Sequence, residues 1–319
     1  MPTMTQILAT GALLLVLACT RASPRAQPAS SQTAAPSPVP AVPTRLISLP
    51  VSAYLPALAL DGDTAYLLTS DAAYRLVVGE PPRKFELDLG IGPVLTESGI
   101  VFWSKGAIWN AAKDGGPVVR IASVPKQPAY FVASSGGIAW LDQADDNTYR
   151  VQSLNGQKSR LLVADRGEIS ALHMVQDWVF FVQRAKDNSW RIGRVHVAGG
   201  QLAYTDSRTG PTPATLTGSD TVIYYDMDKS EIRQLMPDLV TEHVWLKDYV
   251  CSPIFEANNI FCSRVEGLFE VLAESHTPKF LLSLTRVQAI PLIRANSKRL
   301  VWLVDTGPDQ LAVDTLSLE

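Results

Sequence analysis

Histidine and cysteine are scarce in this sequence, with four and three residues among 319. The histidines, His173, His196, His243 and His276, stand in different sequence contexts, and no two of them have the spacing of metal ligands. No serine stands in a Gly-x-Ser-x-Gly motif, and no cysteine has a candidate base close to it in sequence. The sequence therefore predicts neither a metal site nor a cofactor, and it favours a protein without catalytic activity.

A strong charge of either sign is also missing. The net charge is −3, and because Arg21 and Arg25 precede residue 45, residues 45–319 carry 26 basic against 31 acidic side chains. Nucleic acids and anionic lipids attract basic surfaces, so we expect neither as a partner. With 46% hydrophobic residues, the chain has enough apolar surface for one large core or two smaller ones.

The first residues indicate the compartment. Ile7–Ala18 is an apolar run of 12 residues, which suits the hydrophobic region of a signal peptide better than a membrane span. The adjoining Val16-Leu17-Ala18-Cys19 resembles the bacterial lipobox, in which the cysteine is lipidated and becomes the new N-terminus. The resemblance implies a lipoprotein signal peptide at 1–18 and membrane attachment through Cys19 alone. A cleaved secretory peptide and an uncleaved anchor are the alternatives.

By resemblance to sorting rules in Gram-negative bacteria, Thr20 after the cysteine favours the outer membrane. Residues 19–44 are rich in Ala, Ser and Pro and have no apolar periodicity, which is typical of a disordered tether. Fully extended, such a tether would reach roughly 80 Å, at about 3.1 Å per residue. We therefore expect the folded domain, residues 45–319, to stand clear of the bilayer.

Apolar runs recur evenly through that domain. Each follows a turn rich in Gly, Asp, Asn or Ser, and the third residue of the run is usually aromatic. The runs begin at Ala65, Ile100, Ile138, Trp178, Val222, Ile260 and Leu300. A period of about 39 residues with short strands and no helical pattern is typical of β-propeller blades.

The third module shows how one blade is built. Its predicted strands are 128–135, Ile138–Gln143, Tyr149–Leu154 and Ser159–Ala164, with Asn155-Gly156 as the last turn. The loop 145–149 (DDNTY) matches 186–190 (KDNSW) in the fourth module. Matching loops favour true internal repetition.

Closure of the ring favours seven blades. The last module has three predicted strands, Pro291–Arg294, Leu300–Asp305 and Gln310–Leu318, and lacks an outer one. Arg45–Val51 is a spare strand that would complete it and remove the free edge. We therefore predict an all-β, seven-bladed β-propeller that is a monomer. The chain resembles the broad class of bacterial β-propeller repeat proteins, although the sequence patterns of WD and kelch repeats are not present in it. A two-domain β protein is the alternative.

Asp226, Asp228 and Glu231 form the nearest approach to a calcium-binding loop, because hard cations require several oxygen ligands from one short segment. The segment lacks the glycine and the spacing of an EF-hand. We therefore favour a solvated turn between the second and third strands of the fifth blade.

Cys251 and Cys262 lie on neighbouring predicted strands of the sixth blade, in a protein expected to be exported. With a turn at Ala257-Asn258, Cys262 would face Pro253, so a disulfide would have to be diagonal. A disulfide and two buried thiols both remain open.

Loops on one face form the predicted binding surface, because rigid scaffolds carry binding residues on their loops. They are the loops between second and third strands, including Gln143–Thr148, Arg184–Ser189, Asp226–Ser230 and Asp305–Asp309. Tryptophans at repeated strand positions are expected in the core, although one of Trp103, Trp109, Trp190 and Trp245 could face a ligand.

The sequence thus predicts a cell-envelope lipoprotein that binds or scaffolds a protein or glycan partner. A glycan lyase or hydrolase with its site at the axial channel is the alternative, and a purely structural envelope protein is a third.

The lipid anchor is directly testable. Cells grown with a fatty-acid analogue should label the wild-type protein and not a Cys19→Ala variant, because only the cysteine thiol can carry the lipid. Equal labelling of the two proteins would contradict the lipobox.

Overall fold

The structure is a computed structural model that describes residues 43–50, 57–69, 71–155, 158–213, 215–218, 220–247, 252–256, 259–264, 267–272, 277–282, 293–307 and 310–318. The predicted signal peptide, Cys19, most of the tether, Cys251 and His276 lie outside these residues. Within them the chain forms strands and no helix, and so no helix there could cross a membrane.

The strands form seven antiparallel sheets. Blade 1 contains β2 (Ala57–Asp61), β3 (Thr64–Leu68), β4 (Ala72–Leu76) and β5 (Arg83–Glu86). Blade 2 contains β6 (Ile91–Thr96), β7 (Gly99–Ser104), β8 (Ala107–Ala111) and β9 (Val118–Ser123). Blade 3 contains β10 (Tyr130–Ser134), β11 (Gly137–Gln143), β12 (Tyr149–Asn155) and β13 (Lys158–Asp165).

Blade 4 contains β14 (Glu168–Val175), β15 (Trp178–Arg184), β16 (Trp190–His196) and β17 (Ala203–Tyr204). Blade 5 contains β18 (Val222–Asp226), β19 (Glu231–Leu235) and β20 (Glu242–Lys247). Blade 6 contains β21 (Ser252–Glu256), β22 (Asn259–Arg264), β23 (Gly267–Val271) and β24 (Pro278–Leu282). Blade 7 contains β25 (Ile293–Ala295), β26 (Arg299–Gly307), β27 (Gln310–Ser317) and, as its outer strand, β1 (Thr44–Pro50).

The predicted seven-bladed propeller is confirmed, including its closure. β1 pairs antiparallel with β27, with Ile47 opposite Val313. Arg45 adds a two-pronged contact to Asp314, from Nε to Oδ1 and from Nη2 to Oδ2 at 3.1 Å. The first strand after the tether therefore completes the last blade, and it begins at Thr44, one residue earlier than predicted.

The core is divided among the junctions between blades. In the described part of the chain, each of the seven pairs of neighbouring blades shares one cluster of buried apolar side chains. The third residue of every predicted run is buried to 2% exposure or less: Leu67, Phe102, Trp140, Phe180, Tyr224, Cys262 and Trp302. The repeated aromatic position thus packs one blade against the next.

Blade 5 departs from the four-strand expectation. Before β18 the described chain forms only an isolated bridge, Thr217 to Ile223. The other six blades have an inner strand at this position. Pro211 and Pro213 stand just upstream and cannot donate to a ladder. Gly218 has φ of +125°, and a side chain there would collide with the carbonyl oxygen of Thr221. These residues explain the lost inner strand.

The closure predicts a specific stability effect. Ile47 is 9% exposed and packs with Val313 and Leu58 across the junction of blades 7 and 1, so Ile47→Ala should cost about 2 to 4 kcal/mol in denaturant unfolding. The neighbouring Ser48 is exposed, and Ser48→Ala should change the unfolding free energy by less than about 0.5 kcal/mol. Equal effects of the two substitutions would mean that β1 does not close the ring in solution.

Candidate functional site

Among the described residues, one face of the propeller carries the loops between second and third strands together with the blade-to-blade connections; we call it the loop face. The two matching loops have the same conformation. Asn147 and Asn188 have φ of 62° and 66°. The backbone N–H of Ala144 donates to Thr148 and that of Ala185 to Ser189, both at 2.8 Å. The internal repeat therefore extends from sequence to loop geometry.

A polar cleft of about 430 Å³ opens on the loop face between blades 3 and 4. We call it the blade 3–4 cleft. It is lined by the blade connection and the β15–β16 loop with the strand ends on either side: Asp165, Arg166, Gly167, Gln183, Arg184, Ala185, Lys186, Asp187, Ser189, Trp190, Arg191 and Ser207. Its four basic side chains outnumber its two acidic ones, although the chain as a whole is slightly acidic.

Arg191 is fixed at this cleft by the residue directly opposite it on β15. Its Nε donates to Oε1 of Gln183 at 2.9 Å, and its guanidinium stacks on the Tyr204 ring at 3.6 Å. Gln183 is only 5% exposed. The Arg191 side chain is therefore held in one place without being neutralised, because its amide partner carries no charge.

The equivalent position in blade 3 is different. Arg150 lies directly opposite Asp142, and its Nε donates to Oδ1 of that carboxylate at 2.7 Å. Asp142 is 2% exposed and also accepts a hydrogen bond from Gln152. Blade 3 thus pairs its arginine with a buried carboxylate, whereas blade 4 places a neutral amide in the same role.

Two further cations, Arg166 and Lys186, stand at the blade 3–4 cleft. Hydrogen bonds from Thr148, and after them the charge of Arg166, lower the pKa of Asp146. Arg166 and Lys186 are exposed and make no hydrogen bond or ion pair with the described residues. The two acids of the lining hold the turns: Asp165 accepts the N–H of Gly167 at 2.7 Å, and Asp187 accepts that of Ser189 at 2.9 Å. Hydrogen bonds from Ser189, first from its hydroxyl, lower the pKa of Asp187.

A rigid layer lies behind the cleft. Trp190, 2% exposed, exchanges two backbone hydrogen bonds with Arg208, at 2.7 and 2.8 Å. The Arg208 guanidinium lies over the rings of Trp190 and Tyr224, 5.4 and 5.6 Å from their centroids. It also donates to Oε1 of Glu242 at 2.9 Å. Because these contacts are made within the protein, the cleft wall is preorganised for a ligand.

The charged groups of this layer are tightly coupled. Tyr224 donates to Glu242, and Arg233 bridges Glu242 and Glu231. Burial, followed by the hydrogen bond to Glu242, raises the pKa of Tyr224 well above its usual range. Burial opposes ionisation of Glu242, but the bond from Tyr224 and the charge of Arg208 lower its pKa overall. Glu242 is therefore an anion held between two guanidinium groups.

The candidate calcium segment belongs to the same network. A turn does join β18 to β19, but the expectation of a solvated one is wrong for Asp226 and Glu231, which are 4% and 9% exposed. Both carboxylates face Arg233, with Asp226 Oδ2 at 3.3 Å from its Nε. A buried carboxylate needs a positive partner, and here a guanidinium supplies it. In the described chain no three His, Cys, Asp or Glu side chains are grouped to hold a metal.

The histidines among the described residues lie in surroundings typical of a structural role. His173 is half-buried, contacts the carbonyl oxygen of Gly218 through Nε2 at 2.8 Å, and has its pKa lowered by burial. His196 packs against Trp178, and His243 is exposed.

Cys262 lies in the core of the blade 5–6 junction and faces Pro253, as predicted. It is disulfide-bonded. Its candidate partner from sequence, Cys251, lies outside the described residues.

A pair of opposite charges lies on the inner strands of blades 6 and 7. Oε1 of Glu256, at the end of β21, is 3.5 Å from Nε of Arg294 on β25. Burial raises the pKa of Glu256 to about 7, against the opposing effects of Arg294 and the Ala295 N–H. An inner-strand carboxyl that titrates near neutrality could exchange protons there.

A second cleft, of about 320 Å³, lies between blades 1 and 2 and is largely apolar. Leu87, Phe102 and Trp109 line it, and Trp109 is held by donating its Nε1 hydrogen to the carbonyl oxygen of Ser104 at 2.9 Å. Of the tryptophans singled out from sequence, Trp109 and Trp190 thus line clefts, while Trp245 is buried in the blade 5–6 core.

Sequence reasoning found the Arg184–Ser189 loop but missed Arg166, Gln183 and Arg191. The available signal was the arginine that directly follows each matching loop, Arg150 after Tyr149 and Arg191 after Trp190. This signal identifies a repeated arginine, but it does not identify the residue that faces the arginine on the neighbouring strand.

The fold and the cleft together define a seven-bladed β-propeller with a basic cleft on its loop face. No family model and no curated protein matches the sequence. Among solved structures, the chain is similar to the AfRom2 CNH domain, with a TM-score of 0.58, 8% identity, and coverage of 87% of this chain and 99% of that one.

It is also similar to PorZ, an essential bacterial surface component of the type-IX secretion system of Porphyromonas gingivalis. That likeness has a TM-score of 0.52 and 9% identity, and covers 85% of this chain and 39% of that one. For BamB from Moraxella catarrhalis the TM-score is 0.45 and the identity 11%, with 86% and 99% covered. At these identities the likenesses to the AfRom2 domain and to PorZ show the fold alone.

The raised pKa of Glu256 predicts a pH effect on stability. Since the folded-state pKa of about 7 exceeds the ordinary value of 4.5, the stabilising contribution is complete below pH 4.5 and is lost as the pH rises to 7. Relative to Glu256→Gln, the wild type should lose about 3 kcal/mol of unfolding free energy across this window. Glu80→Gln, at an exposed carboxylate, is the control. Parallel pH profiles for wild type and Glu256→Gln would contradict the assignment.

Proposed function

We propose that this protein is an exported lipoprotein, anchored through Cys19 at the bacterial cell envelope, whose propeller holds a protein or glycan partner without turning it over. The Val16–Cys19 motif supports the anchor, Thr20 favours the outer membrane, and residues 19–44 supply the tether. PorZ, which shares the fold, is a bacterial surface component.

The blade 3–4 cleft is the observation that carries the binding role. It combines a braced wall with four basic side chains, of which Arg166 and Lys186 are exposed and form no hydrogen bond or ion pair with a described residue. Charged side chains left without partners on a rigid scaffold are suited to recognition. The binding site thus lies on the loop face, at the junction of blades 3 and 4.

One observation favours the second candidate, a glycan lyase or hydrolase at the axial channel. Glu256 and Arg294 lie together on inner strands, and the pKa of the carboxyl is raised to about 7 by burial. An acid or base near neutral pH is what such chemistry requires.

Site-specific crosslinking in intact cells tests the proposal. A photoreactive amino acid placed at Lys186, on the loop face, should crosslink one defined envelope component. The same amino acid at Gln201, exposed beyond the opposite end of β16, should not. The matched pair separates recognition at the cleft from simple proximity in the envelope.

Three results would overturn it. Crosslinking from neither position would favour a purely structural protein, and equal crosslinking from both would deny a role to the cleft. Turnover of glycan substrates by purified mature protein, lost in Glu256→Gln, would establish the enzyme instead.

A further inference from the structure

The side chains of the blade 3–4 cleft also indicate the chemical class of its partner. We propose that the guanidinium of Arg191 binds a carboxylate of an acidic peptide segment on the partner. This inference rests on the proposed binding function and goes further, because it names the ligand class and the group that receives it.

The internal repeat supplies the comparison that carries the inference. Arg150 and Arg191 follow matching loops, are the second residues of equivalent third strands, and lie opposite equivalent residues of the second strands. In blade 3 the opposite residue is Asp142, and the charge is satisfied inside the protein. In blade 4 it is Gln183, which fixes Nε of Arg191 and leaves its charge for an external anion.

The remaining side chains of the cleft favour several carboxylates. Arg191 makes no ion pair with any described residue, and two exposed cations belong to the same lining: Lys186, and Arg166, whose charge also acts on Asp146. A guanidinium binds a carboxylate with two parallel hydrogen bonds, which makes such contacts strong and directional. An acidic run would satisfy several of these cations at once.

A peptide suits the cleft better than an acidic glycan. The ring faces of sugars pack against exposed aromatic rings, yet the aromatic side chain in this lining, Trp190, is 2% exposed. The exposed hydroxyl of Ser207, also in the lining, offers a hydrogen bond of the kind that a peptide backbone can match.

The attraction must be local, since residues 45–319 carry more acidic than basic side chains. The net charge of the domain does not attract an acidic peptide. Binding of such a peptide would therefore report on the cleft itself.

The test is titration of the detergent-solubilised full chain into fluorescein-labelled octaglutamate, read by anisotropy. Wild type should bind octaglutamate, should not bind octaglutamine, and should bind more weakly as salt is raised. Gln183→Glu would neutralise Arg191 in place, as Asp142 neutralises Arg150, and should weaken binding about tenfold. Gln201→Glu makes the same charge change at an exposed site beyond the other end of β16, and should keep the affinity within about twofold.

Arg191→Gln guards against a Gln183→Glu variant that fails to fold, and its melting temperature is measured alongside. It should also weaken binding about tenfold. The inference is overturned if wild type does not bind octaglutamate. It is also overturned if Gln183→Glu binds octaglutamate as tightly as Gln201→Glu does; where Gln183→Glu does not fold, Arg191→Gln takes its place in this comparison.

Oligogalacturonate of equal charge is the competing ligand. If it binds through Arg191 more tightly than octaglutamate does, the ligand is a glycan and the peptide assignment is wrong. A crosslink from Lys186 combined with no binding of octaglutamate would refute this inference and leave the proposed function standing.

Discussion

The structure depends on one constraint: a blade cannot bury both of its faces by itself. A four-stranded sheet has two faces, and here both are apolar where neighbouring blades meet, as Trp140 and Ala139 show by entering different cores from adjacent positions on β11. A sheet of this kind is stable only between two others, so the arrangement must continue until it closes on itself. The ring is therefore a consequence of strand patterning, and the β1–β27 pairing is the contact that ends it.

Closure also explains where the fold tolerates irregularity. Blade 5 lacks an inner strand in the described chain, yet Tyr224 on β18 is fully buried against blade 4. The segment that follows β17 compensates by placing Arg208 between Trp190 and Tyr224, and the same arginine reaches Glu242. A buried charged network is costly to assemble, but its geometry is specific. At this junction it replaces part of the apolar packing that the other junctions use.

Much of the fold could be read from sequence because the relevant signals are local. An apolar run with an aromatic third residue, a turn with Asn or Gly, and an even period each depend on a few consecutive residues, and Trp302 or Phe102 occupies the predicted core position accordingly. The site could not be read in the same way. Gln183 and Arg191 are eight residues apart, and only the register of β15 against β16 makes them partners. The burial of Asp226 was missed for a similar reason, since its partner Arg233 lies on another strand.

The contrast between Asp142 and Gln183 shows how a repeat fold separates architecture from recognition. Both residues perform the same structural task, because each fixes the Nε of the facing arginine through an oxygen atom and each is buried. An amide oxygen accepts this hydrogen bond just as a carboxylate oxygen does. The two choices differ in charge: a carboxylate neutralises the guanidinium, whereas an amide leaves its positive charge without a negative partner on the facing strand. Between blades 3 and 4, the exchange of one acidic side chain for a neutral one is enough to leave a guanidinium charge in blade 4 that blade 3 neutralises internally.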